Sequence, residues 1–140
     1  FDFMDFKSFL DKKNVIAIVG ASDNRDKYGN IIFRDLRDAG YKVIPVNPNA
    51  DIVEGEKCYH SLSEIPIKID VVDTVVPPHI TEQIVKECKK IGITKVWMQP
   101  GSESEEAIIF CKDNGIEVIY ENCIMAQRRF LEAEQSRKSN

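Results

Sequence analysis

Residues 19–30, VGASDNRDKYGN, gather the groups of this chain best suited to holding an anion. They follow an apolar run and precede an amphipathic one, where a strand would hand over to a crossover helix. Gly20 permits a tight turn at the strand's carboxyl end, and Ser22 adds a small hydroxyl. A helix beginning near Gly29 leaves its first amides without intrahelical partners, and its dipole favours phosphate there. Arg25 and Lys27 lie in the same loop and can neutralise phosphate charge that amides alone do not match. The alternative is a solvated loop whose cations meet only water.

Three further stretches belong at the same edge of a sheet. After the second apolar run comes Asn47-Pro48, where dinucleotide binders carry an acidic residue for the ribose hydroxyls. An asparagine tolerates a ribose phosphate that a carboxylate would repel. The glycine fingerprint G-x-G-x-x-G is also missing, since Gly20 is followed by Ala21 and Ser22 and the next glycine is Gly29. Both departures weigh against an NAD(P)-dependent oxidoreductase. In VVPPH (75–79), Pro77 and Pro78 end a strand and open a helix, giving a rigid apolar shelf on which a base or an apolar arm could pack. In WMQPG (97–101), Trp97 reads as core and Gln99 as a polar contact. Ser102, three residues before Glu105, reads as the capping box of the following helix.

The elements that must position these groups alternate short β-branched runs with amphipathic stretches. The runs are VIAIV (15–19), KVIPV (42–46), VVDTVV (71–76), KVWMQ (95–99) and EVIY (117–120), and a short edge strand is expected at 57–59. The fold class is α/β: a doubly wound, Rossmann-like parallel sheet of five main strands plus that edge strand, with helices on both faces. Its crevice lies above the first and fourth strands, counting the edge strand third. Ile32, Leu36 and Ala39 fall on one helix face before Gly40; Ile84, Cys88 and Ile91 before Gly92; Ala107 and Cys111 before Gly115. Phe6, Phe9 and Leu10 suggest a short helix over a sheet edge, and the segment after Ile124 a last helix fraying into a polar tail.

A chain of 140 residues supports one ordinary core, and a single domain over 4–140 is expected, with Met4 a candidate start. The net charge of −4 offers no basic face for nucleic acid or an anionic membrane surface. No stretch approaches the roughly 20 apolar residues of a spanning helix, so a cytoplasmic location is expected. Cys58, Cys88, Cys111 and Cys123 lack zinc-ligand spacing and read as small apolar residues in a reducing compartment; no metal is expected. His60 and His79 show no nucleophile or carboxylate at a catalytic spacing.

Taken in order, GAS with the later KYG, VNP (46–48), YHSLSEIP, VVPP and WMQPGSESEEA resemble the small CoA-binding protein family, related in fold to the CoA-binding domain of the succinyl-CoA synthetase α-subunit. The likeness runs from about Lys13 to Arg129. It implies coenzyme A across the carboxyl edge of the sheet, touched by Gly20, Ser22, Arg25, Lys27, Tyr28, Asn47, Pro48, Val76, Pro77, Pro78, Gln99 and Gly101. The synthetase also needs a second domain with a phosphorylated histidine and a partner subunit, and nothing here matches that domain. The expectation is therefore a CoA or acyl-CoA binding protein without a complete catalytic site, acting as carrier, sensor or partner of an enzyme, with a homodimer and a partner enzyme both left open. The other readings are the NAD(P) oxidoreductase and a thiol switch in which Cys123, in YENCIM after the last strand, pairs with the thiol of CoA. A packed, inert thiol is the alternative for Cys123.

Overall fold

A computed structural model describes residues 4–138; Phe1 to Phe3 and the end of the polar tail lie outside the described residues. Five parallel strands form the sheet: β1 (Val15–Val19), β2 (Lys42–Val46), β5 (Val71–Thr74), β6 (Lys95–Met98) and β7 (Glu117–Ile119), in the order β2-β1-β5-β6-β7. The chain leaves β1 toward β2 and returns to its other side with β5, so the switch-point crevice opens above β1 and β5 as the doubly wound reading requires. The expected edge strand is reduced to one parallel bridge between Tyr59 and Val46. Its neighbours fold instead into a hairpin of β3 (Ile52–Val53) and β4 (Glu56–Lys57), whose turn places Glu54 and Gly55 at positive φ. The charged and glycine residues of VEGEK supply a turn where a longer strand would need apolar side chains.

The pleat sorts the sheet's side chains into two cores. Ile16, Ile18, Val71 and Trp97 join Ile32, Phe33 and Leu36 of α2 (Tyr28–Asp38) and Ile124 and Met125 of α5 (Ile124–Lys138) on one face. Ala17, Val19, Val72, Val96 and Met98 join Val85 and Cys88 of α3 (Pro78–Ile91) and Ala107 and Cys111 of α4 (Glu105–Asp113) on the other. The buried stripe of α3 is Thr81, Val85 and Cys88, so Ile91 turns outward, 42% exposed, rather than joining Cys88. Helix α1 (Phe6–Phe9) lies under the sheet rather than along its edge, with Phe6 and Phe9 against the Trp97 ring at centroid distances of 5.6 and 6.0 Å. Two-point pairing of Arg128 with Asp35, 2.9 and 3.0 Å, clamps α5 onto α2.

Candidate functional site

The turn after β1 is built on two glycines that only backbone contact explains. Gly20 has φ +100, and a Cβ there would fall within 3.0 Å of the Val75 carbonyl. Gly29, in the first turn of α2, packs so closely that a Cβ would fall within 3.0 Å of the Gly20 carbonyl oxygen. The helix start is thus drawn onto the strand end, the role glycines play in nucleotide-binding turns, although their spacing here differs from the dinucleotide pattern. Lys27 occupies the N-cap of α2 and Pro77 that of α3, and neither helix has a side-chain cap. These two helix starts flank the crevice above β1 and β5. The Tyr28 and Gly29 amides of α2 have no earlier helical carbonyl to bond, whereas Pro78 opens α3 without an N–H and the Ile80 and Thr81 amides bond the Pro77 carbonyl. Helix α2 therefore carries most of the donors, and both starts turn positive dipole ends toward the crevice.

Around these amides the expected contacts divide into exposed and committed groups. Lys27, Pro48, Pro77, Pro78 and Gly101 are exposed, and Val76 is half-buried beside Gly20. The Ser22 hydroxyl accepts from the Asn24 amide, and its carbonyl accepts from Asn30 Nδ2 at 2.8 Å. Arg25 is 64% exposed, but its Nε lies 3.3 Å from Glu54 Oε2 on the hairpin tip. Glu54 also receives Asn30 Nδ2 at 3.1 Å, so the hairpin docks on the loop and competes for its cation. Asn47 is a brace: Nδ2 donates to the Ala21 carbonyl, and Oδ1 accepts from the Asn49 amide, both at 2.8 Å.

Two expectations at the other strand ends need correction. Gln99 is 1% exposed and does not offer a free polar contact; its Oε1 accepts from the Ile124 amide, and its Nε2 points at Cys123 Sγ, 3.7 Å away. Ser102 does not cap α4, because Ser104 does, accepting from the Ala107 amide at 3.0 Å. Ser102 instead bridges the Thr74 and Thr81 hydroxyls at 2.8 and 2.7 Å, locking the turn after β6 to β5 and α3. His60, read as lacking a carboxylate, lies 2.8 Å from Asp51, whose side chain is 88% exposed.

A second cluster sits at the start of α5. The turn before it is held by Trp97, whose Nε1 donates to the Asn122 carbonyl at 2.8 Å, and by Gln99. Cys123 precedes the helix, and the Tyr28 hydroxyl lies 3.0 Å from its Sγ. Burial works against the Cys123 thiolate, but the Tyr28 phenol, the Ala126 and Met125 amides and Gln99 outweigh it and hold the thiol below its usual range. The phenol of Tyr28 is pushed up to about 12 by burial and by Cys123, so it stays a donor. Below them Asp73, fully buried in β5, has neither carboxyl oxygen hydrogen-bonded among the described residues. Burial, with the Cys123 charge beside it, raises its carboxyl well above the ordinary range. The signal for Asp73 was present as one acid inside the apolar run VVDTVV, but which face it would take was not.

A family model described as the CoA binding domain matches residues 14–129. The chain belongs to this family of CoA-binding domains. The uncharacterized protein YneT of Bacillus subtilis (strain 168) is 34% identical over 120 residues, spanning 86% of this chain and 89% of its own. The ADP-forming acetate–CoA ligase of Methanocaldococcus jannaschii is 33% identical over 117 residues, and the match covers 78% of this chain but 17% of the ligase. A conserved hypothetical protein from Pyrococcus furiosus superposes with a TM-score of 0.78 at 49% identity, covering 81% of this chain and 98% of that one. The doubly wound sheet is therefore that of CoA-binding domains, with the uncapped starts of α2 and α3 at its switch point.

A cavity of 530 Å³ opens at the opposite, amino end of the strands, between Lys12, Tyr41 and Glu132. Its rim mixes lysines with carboxylates, which gives a polyanion no net attraction. Among the described residues no cluster could hold a metal ion, and no helix is long and apolar enough to cross a membrane.

Proposed function

We propose that this protein binds coenzyme A or an acyl-CoA across the carboxyl edge of the sheet and serves as a carrier, a sensor or the partner of an enzyme in the cytoplasm, with no complete catalytic site of its own. The observation that carries this reading is the pair of uncapped helix starts, α2 and α3, facing one crevice with Lys27 beside them. The Tyr28 and Gly29 amides at α2 and the His79 amide at α3 need an acceptor, and a phosphate brings several. Pro77 and Pro78 offer an exposed apolar shelf for the base or the pantetheine arm. The match to a segment of a ligase suggests that any chemistry lies outside this domain, which would act with an enzyme or as one of a pair. The net charge of −4 argues against nucleic acid as the ligand.

A comparison of thermal shifts with CoA, acetyl-CoA, NAD and NADP tests this, because a ligand specific to the native state raises its melting temperature. CoA and acetyl-CoA should stabilise at micromolar concentration and NAD should not. Stabilisation by NAD alone would replace this reading with the oxidoreductase.

A further inference from the structure

Of the cysteines, Cys88 and Cys111 are fully buried, and Cys58 is nearly so. Burial pushes the thiols of all of them up, Cys111 to about 12. Cys123 differs in each respect. It is only partly buried, lies at the carboxyl end of the sheet, and immediately precedes the 15-residue helix α5, whose first amides face its sulfur. Tyr28 reaches it from the first position of α2, so the thiol borders the same loop that faces the crevice.

The second observation is Asp73. A carboxyl group at 0% exposure with no hydrogen-bond partner among the described residues costs stability. Parallel pairing sets Asp73 between Ile18 and Trp97, on the sheet face against which Cys123 packs, and there the Cys123 charge acts on its carboxyl as that of Asp73 acts on Tyr28. Kept neutral, it retains a donor for a group brought by a ligand, and it leaves the negative charge of the corner to the sulfur.

We propose that Cys123 is a covalent exchange site for the thiol end of CoA, attacking a CoA disulfide and retaining one half as a mixed disulfide. The proposal rests on the CoA reading above. In the exchange the Cys123 thiolate forms a bond to one sulfur of the disulfide while the bond between the two CoA sulfurs breaks. The second CoA leaves as a thiolate and takes its proton from solvent. The disulfide is the oxidant, and no other is required. Free CoA thiolate runs the step backward, so the occupancy of Cys123 follows the ratio of CoA disulfide to CoA.

The test uses the whole protein, reduced and then mixed with CoA disulfide or, separately, with glutathione disulfide at equal concentration. Intact mass and peptide mapping follow the adduct. One CoA should add at Cys123 at least tenfold faster than glutathione, desulfo-CoA should slow the reaction, and dithiothreitol should reverse it. Tyr28→Phe should fold normally, lower the exchange rate several-fold near pH 7 and move the pH profile upward. Cys123→Ser should take up no CoA. Equal rates for the two disulfides, or an adduct on Cys58, Cys88 or Cys111, overturn the proposal. Thermal stabilisation by CoA without any adduct overturns it and leaves the CoA reading standing, whereas the loss of both removes the two together.

Discussion

Helices α2 and α4 both follow a parallel strand and begin at the carboxyl edge of the sheet, yet their first turns are finished differently. Helix α4 closes on its own side chains: Ser104 caps it, and Glu105 and Glu106 place acids on its first turn. Helix α2 has no acid there and no side-chain cap, and its N-cap is a lysine. The same backbone donors are thus satisfied internally at one strand end and left for a visitor at the other. The glycines repeat the contrast. Gly29 is required by contact with Gly20, whereas Gly101, before α4, has φ +92 but nothing within 4 Å of its missing Cβ. An anion site is therefore a matter of what a helix start lacks, set beside a backbone approach close enough to aim it.

The largest effect should come from the glycine contact. Gly29→Ala should cost about 3 kcal/mol in urea denaturation through overpacking against backbone, while Gly101→Ala should cost only about 1 kcal/mol, from the positive φ. Equal costs would mean that the loop yields and that the close approach is not imposed.

Next comes Asp73, which separates this corner from an ordinary core. Its folded-state carboxyl titrates above the unfolded value of 3.8, so the folded protein keeps a proton the unfolded chain has released. Stability should therefore be full below that value and fall as pH rises from about 4 through the folded value. Asp73→Asn should remove this slope, gaining on the order of 2 kcal/mol over the parent at pH 8 and almost nothing at pH 4. Melting curves across that range decide it, and parallel curves would show the acid to be charged or paired.

The two helix starts can be exchanged in character. Lys27→Asp gives α2 an acidic cap, and CoA affinity by calorimetry should fall at least tenfold, about 1.4 kcal/mol, with no loss of stability. Ser104→Ala removes the α4 cap, and stability should fall by about 1 kcal/mol with affinity unchanged. The smallest effect should be that of Arg25→Ala, a weakening of about threefold that shrinks with added salt, because Glu54 already shares this exposed guanidinium. A stronger effect than that of Lys27→Ala would show that the ligand draws Arg25 away from Glu54.

How far the sequence could be read varies with the range of the interaction. Periodicity placed every main strand within a few residues, and Gly20, Lys27, Pro77 and Pro78 follow the carboxyl ends of β1 and β5. The errors lie where a side chain had rival partners. Ser102 fits the capping-box spacing with Glu105, but Thr74 and Thr81 claim it in three dimensions and Ser104 caps the helix instead. Gln99 stands at the right strand end, but the turn before α5 uses up its amide.

By itself the sequence determined the local features, namely which runs extend, where helices start and stop, and that the first crossover turn carries glycines and cations, because these depend on neighbours a few residues apart. Only the tertiary structure decided that Tyr28 meets Cys123 across 95 positions, that Asp73 lies unpaired near them, and that Glu54 shares Arg25. The meeting of Tyr28 with Cys123 requires α2 and α5 to land on the same face of one sheet, and strand order, which no short-range pattern encodes, sets that face.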